Sequence, residues 1–174
     1  MPSEIRACTT GDAAQICEIY NHYIRDTVVT FEELPVPVSE MAQRIEDVTD
    51  RYPWIVWAEN GAVLGYAYAS LWHKRSAYRH TVESTVYLSP AHLGRGIGAA
   101  LYKSLIEALR PLDVRCIIGG IALPNPASVA LHEKLGYRKI GVFPAVGRKF
   151  ERWIDVGYWQ LMLDGPGEFA RRIE

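Results

Sequence analysis

TVESTVYLSPAHLGRGIGAALYKSLIEAL, residues 81–109, is the stretch from which the fold can be read. Residues 82–88 are rich in β-branched and aromatic side chains and predict a strand. Ile97, Leu101, Leu105 and Leu109 recur on one stripe and predict an amphipathic helix over 97–109, stopped by Pro111. Between the two lies Leu93-Gly94-Arg95-Gly96-Ile97-Gly98. Glycines there let the backbone approach a ligand and expose N–H groups at a helix N-terminus, where the helix dipole favours an anion such as a pyrophosphate. A glycine triplet alone reads equally well as a plain tight turn. The glycines do not follow a first strand, as a dinucleotide fold would require, and no Gly-Lys-Ser/Thr follows to make a P-loop.

Outward from this segment the pattern is mixed. Residues 4–8 predict a strand, and Thr9 and Asp12 have capping-box spacing ahead of a helix carrying Ile16, Ile19, Tyr20, Tyr23 and Ile24. Residues 25–38, with Pro35 and Pro37, predict a loop, and 39–50 a helix capped by Ser39. Asn60-Gly61 marks a hairpin between strands 54–59 and 62–70. Further strands are expected at 114–122, 137–143 and 152–163, with a short helix over 127–135 ended by Gly136. The order β-α-α-β-β-β-α-β-α-β-β favours an α/β (α+β) domain over residues 1–163, a mixed central sheet of about seven strands flanked by helices. Residues 164–174 read as a loose polar tail.

The chain has 174 residues, 49% hydrophobic and 22% charged, which suits one globular domain and excludes a disordered or disulfide-dense chain. Nineteen basic against 20 acidic residues give a net charge of −1, so nothing points to nucleic acid or an anionic membrane. No apolar run is long enough to span a bilayer, and the N-terminus lacks a signal-peptide core. Cys8, Cys17 and Cys116 form no CxxC pair, and the histidines show no HExxH spacing; a reduced, cytoplasmic protein with no metal is expected.

The strand, glycine turn and helix resemble the pyrophosphate-binding motif of the GNAT acetyltransferases, with Gly96 and Gly98 at its glycines and Leu93 where Gln or Arg is usual. NPASVALHEKLGY, residues 125–137, resembles the later GNAT signature, with His132 at its tyrosine. The chain is similar over nearly its whole length to the phosphinothricin N-acetyltransferases and their relatives acting on methionine sulfoximine and sulfone. The matching stretches are IYNHYI (19–24), Val29-Thr30-Phe31, RYPW (51–54), Trp72, RSAYRHTVESTVYLSP (75–90), IALPN (121–125), SVALHEKLGY (128–137) and WIDVGYWQL (153–161).

That resemblance implies acetyl-CoA as cosubstrate. Its pyrophosphate would meet the backbone of Gly94, Arg95, Gly96, Ile97, Gly98 and Ala99. Its pantetheine arm would run along Val86, Tyr87 and Leu88 like an added strand, with Asn125 and Ser128 beside it. Backbone N–H groups near Val86–Leu88, splayed by a bulge, would hold the oxyanion. Acetylating an amine requires a base for the ammonium proton and an acid for the departing thiolate. Glu83 is the candidate base, directly or through a water, since partial burial would raise its pKa; otherwise it is a surface Glu in an ion pair. His132, with an ordinary pKa of ~6.5, is the candidate acid. The roles could be reversed, with His132 as base and Glu83 orienting the substrate, and a polar helix-face His is the plain reading. Tyr102 is a weaker candidate near the thiol and otherwise a packing residue. His73, Lys74, Arg75 and Tyr78 form a basic loop suited to a substrate carboxylate or phosphinate, or simply a solvated loop. Arg75, Tyr78, Phe31, Thr85 and Tyr87 match substrate positions of the family; His73 stands where close relatives have Lys. Gly147-Arg148-Lys149-Phe150 is expected as a segment closing over the site, and Trp153 and Trp159 as core or dimer contacts. The resemblance also implies a homodimer. Another primary amine, such as a polyamine or peptide N-terminus, is an alternative substrate, and a non-catalytic acyl-CoA sensor an alternative role.

Overall fold

The computed structural model describes residues 3–163, so the 164–174 tail lies outside the described residues. The elements are β1 (Ser3–Ala7), α1 (Ala13–Asp26), α2 (Val38–Thr49), β2 (Trp54–Glu59), β3 (Ala62–Leu71), β4 (Thr81–Leu88), α3 (Ile97–Leu109), β5 (Cys116–Leu123), α4 (Pro126–Lys134), β6 (Arg138–Lys149) and β7 (Arg152–Met162). They build a seven-stranded sheet in the order β1-β2-β3-β4-β5-β7-β6. Every neighbouring pair is antiparallel except β4 and β5, so the expected mixed sheet is present.

Helices cover both faces. The predicted stripe on α3 is buried: Ile97, Leu101, Leu105 and Leu109 pack on Ala67, Ala69, Val82 and Ile117, with Trp159 in the same core. On the other face Ile16, Ile19, Tyr20 and Ile24 of α1 and Met41 and Ile45 of α2 pack on Trp54, Val56 and Tyr66. β4 therefore separates two environments, and alternation sends Val82 to one core while Glu83 faces the other way.

Three local expectations change. The helix predicted from Ser39 starts at Val38, with Pro37 in the cap position (ψ 154°) and no side-chain cap. A proline's fixed φ suits the entry to a helix better than a sequence scan for Ser or Asp suggests. The strand predicted at 137–143 continues to Lys149. Pro144 and two glycines break its alternation, but register shifts at Lys139/Gly141 and Phe143/Gly147 absorb the irregularity. Gly147–Lys149 are thus strand, and Phe150 and Glu151, both at positive φ (49° and 59°), make the turn into β7.

The third concerns the expected bulge in β4. Its pairing with β3 runs from Leu71↔Val82 to Gly65↔Leu88 without a register shift. The sheet opens instead on the other edge. β4 pairs with β5 only at Thr81–Glu83 against Cys116–Ile118, whereas β5 follows β7 over all of Cys116–Leu123. β5 turns away with its longer antiparallel partner, and β4 beyond Glu83 is left with one edge free of a strand.

Candidate active site

The gap between β4 and β5 is a cleft of about 410 Å³ that passes through the sheet. It collects Glu83, Thr85 and Tyr87 from one side, Tyr102, Asn125, Ser128 and His132 from the other, and Val29–Phe31 as a wall. Two side chains from opposite faces thus open into one space.

Glu83 is half-buried, and that loss of water pushes its pKa above the ordinary glutamate range; the nearby charge of His73 opposes the shift. His132 is only 3% exposed. Its Nδ1 lies 2.8 Å from the Ser128 carbonyl oxygen, which can only accept, so Nδ1 carries a proton. Burial lowers its pKa, with the Ser128 carbonyl opposing. At neutral pH the ring is therefore uncharged and presents an Nε2 lone pair, 3.3 Å from Tyr102 Oη. Tyr102 Oη also lies 3.3 Å from the Ser84 carbonyl, and Tyr137 Oη lies 3.1 Å from Ser84 Oγ. Burial raises the pKa of Tyr102, keeping it a phenol.

Two adjacent glycines make room for this pair. A Cβ on Gly119 would sit 2.5 Å from His132 Nε2, and one on Gly120 would sit 3.2 Å from Glu83 Oε1. Both fall inside the strand expected over 114–122 with no role of their own, and a Gly-Gly within an otherwise buried strand is the signal that could find them.

At the end of β4 the chain enters α3 through Gly94 and Gly96, at φ 76° and 79°, a region in which only glycine is unstrained. A Cβ on either would meet nothing within 4 Å, so open space lies over the first turn of α3, whose N–H groups have no helical partner. The Arg95 guanidinium turns instead to Glu59, at 2.9 Å, leaving its backbone to the cradle. This is room and polarity for a diphosphate.

The sheet thus offers a splayed parallel pair and, beyond the end of β4, an open glycine turn leading into a helix, although Gly94–Ala99 do not themselves line the cleft; residues 5–157 match the acetyltransferase (GNAT) domain. The chain belongs to the GNAT acetyltransferase family. It is 44% identical to a phosphinothricin N-acetyltransferase of Streptomyces viridochromogenes over 95% of this chain and 90% of that one. It is 38% identical to an L-methionine sulfoximine/L-methionine sulfone acetyltransferase of Salmonella typhimurium, over 92% and 94% of the two chains. Among solved structures, the GNAT superfamily phosphinothricin acetyltransferase of Sinorhizobium meliloti, in complex with acetyl-CoA, superposes with a TM-score of 0.89 at 40% identity, covering 93% of this chain and 89% of that one.

Within this GNAT frame most of the residues singled out from sequence gather at the cleft, and some do not. Phe31, Glu83, Thr85, Val86, Tyr87, Asn125, Ser128 and His132 line it. Leu88 does not; its side chain packs over Gly65 and Gly98. Asn125 is the N-cap of α4, its Oδ1 accepting the Ser128 N–H at 3.1 Å. His73, Lys74, Arg75 and Tyr78 line a second cleft of about 440 Å³. Of these four, His73 is the one whose charge bears on Glu83. Trp159 is core and Trp153 is 68% exposed. Val29, Thr30 and Tyr158, also in the cleft, lie in stretches that match the family but carried no assigned role, and Val146 carried no distinguishing pattern in sequence. Among the described residues no cluster of three His, Cys, Asp or Glu could hold a metal, and no helix is long and apolar enough to cross a membrane.

Proposed function

We propose that this enzyme transfers an acetyl group from acetyl-CoA to the α-amino group of a small amino-acid-like substrate, of the kind represented by phosphinothricin, methionine sulfoximine and methionine sulfone. The observation that carries the reading is the meeting of Glu83 and His132 in one cleft at the parting of β4 and β5. Acetyl-CoA supplies an activated thioester. The backbone of Gly94–Ala99 holds its diphosphate, and the strand-free edge of β4 around Val86–Leu88 offers N–H groups to the pantetheine amides and to the developing oxyanion.

Glu83 takes the ammonium proton, directly or through water, and its raised pKa makes it a stronger base than an exposed carboxylate. Once the amine has attacked the thioester carbonyl, its nitrogen sheds a second proton, which His132 accepts at Nε2 and hands to the departing thiolate as the C–S bond breaks, a thiol's own pKa being ~8.5. Arg75 and Tyr78, with His73 and Lys74, receive the substrate's carboxylate from the neighbouring cleft.

Three free buried cysteines suit a cytoplasmic setting. Ile140, Phe143, Val146, Phe150 and Trp153 are exposed along β6, β7 and their turn, and this apolar strip supports a homodimer. Light scattering that returned twice the 19.6 kDa chain mass would support it, and a monomer at assay concentration would remove it.

The deciding experiment is thiol release from acetyl-CoA with phosphinothricin, methionine sulfoximine, methionine sulfone, ordinary amino acids, a peptide N-terminus and polyamines. Turnover with the amino-acid analogues is expected. Turnover confined to polyamines or peptides would move the substrate class, and coenzyme binding without turnover on any amine would make the protein a sensor.

A further inference from the structure

Lys149, near the end of β6, is only 2% exposed, and no carboxylate forms an ion pair with it among the described residues. Its Nζ donates to the Thr30 carbonyl at 2.7 Å and lies 5.1 Å from the centre of the Phe150 ring. A buried ammonium costs stability unless it is well bonded, and an apolar side chain of similar length would fill the space without that cost. Packing alone does not explain a lysine here.

What the ammonium grips is the cleft wall. Thr30 is flanked by Val29 and Phe31, and all three line the cleft that holds Glu83. The same residue is held from its side chain: Thr30 Oγ1 lies 2.9 Å from Tyr20 Oη, which donates to Glu32 Oε1 at 2.8 Å. Glu32 is clamped by Arg44 through two bonds of 2.7 and 3.0 Å. Phe31 is seated on Gly147, two residues before Lys149, where a Cβ would come within 2.2 Å of the ring. The wall is thus fixed from α2 on one side and from β6 on the other.

We propose that Lys149 is a positioning residue for the acceptor amine: its ammonium fixes the Thr30 carbonyl and so sets the Val29–Phe31 wall against which the substrate is aimed at Glu83. The inference rests on the acetyltransferase reading above. It places none of the coenzyme's contacts in Lys149's hands, so the coenzyme and the acceptor should respond differently to its loss.

The test is Lys149→Met, read by steady-state kinetics and by amide hydrogen exchange. KM for the acceptor should rise about tenfold while KM for acetyl-CoA stays within about twofold. Amides of residues 29–31 should exchange about tenfold faster, with those of α3 unchanged. Gly147→Val, which displaces Phe31 without touching the ammonium, should reproduce the acceptor effect. Unaltered exchange at 29–31, or equal rises in both KM values, would overturn the proposal. If the wild-type protein acetylates none of the amines, the functional reading fails, and the exchange experiment alone decides whether Lys149 sets the wall.

Discussion

At one end of the proposed site, Gly94 and Gly96 bend the chain into α3 and bare a turn of backbone N–H groups within a handful of residues. At the other, Thr30 is held by Lys149, 119 positions further along the chain, and Phe31 rests on Gly147. The first end is main chain and local. The second is side chain and assembled across the sheet. The difference teaches where each kind of change should be felt: the cradle should govern affinity for the coenzyme, and the assembled end should govern the acceptor and its proton.

Glu83→Gln should part the two most sharply. It is expected to lower kcat by roughly 10²-fold or more while calorimetry finds acetyl-CoA bound as before. Turnover that survived unchanged would take the base role from Glu83. The wild-type pH profile belongs to the same test. A base must be ionised, so kcat/KM should fall as pH drops through the Glu83 pKa, which burial places above the usual glutamate value, and the Gln variant should lose that limb. Stability should move the opposite way. With the folded pKa raised, ionisation of Glu83 weighs against the fold above that pKa and has no effect once pH is below the unfolded value of ~4.3. The variant should therefore melt higher than wild type at neutral pH and level with it in acid.

Gly96→Val comes next. It forces a β-branched residue to φ 79° at the N-cap of α3. Left-handed backbone costs a side-chain-bearing residue ~1–2 kcal/mol, so KM for acetyl-CoA should rise by about tenfold with the acceptor's KM unmoved. A matching rise for the acceptor would erase the division between the two ends. The smallest effect is expected from Arg75→Ala, about three- to tenfold on KM for anionic amino-acid substrates and none on the coenzyme, since an exposed charged contact is worth little. No change would assign the basic cleft to solvent.

The same contrast explains how much could be read from the chain. β4, the glycine turn and α3 were legible because alternation, glycine and the stripe from Ile97 to Leu109 are all local signals, and every strand but β6, which runs six residues past its expected end, was placed within a few residues. The pairing of Glu83 with His132 came from family likeness; periodicity gave no hint that strands on either side of a gap would bring them into one space. Lys149 reads from sequence as part of a segment closing over the site and not as strand, because the register shifts that prolong β6 depend on its partner β7. Nor could β4's own sequence announce that β5 would leave it after three residue pairs, since that departure is dictated by the eight-residue ladder between β5 and β7.

That brief parallel ladder has a mechanical meaning. The molecule is two antiparallel slabs, β1–β4 and β5–β7–β6, riveted by Thr81–Glu83 against Cys116–Ile118 and braced by the helices behind. Breathing of the slabs should be cheapest at the mouth of the seam and dearest at the rivets. A coenzyme lying in the seam would act as a splint, making the occupied protein stiffer as a whole and not just at the surface it touches.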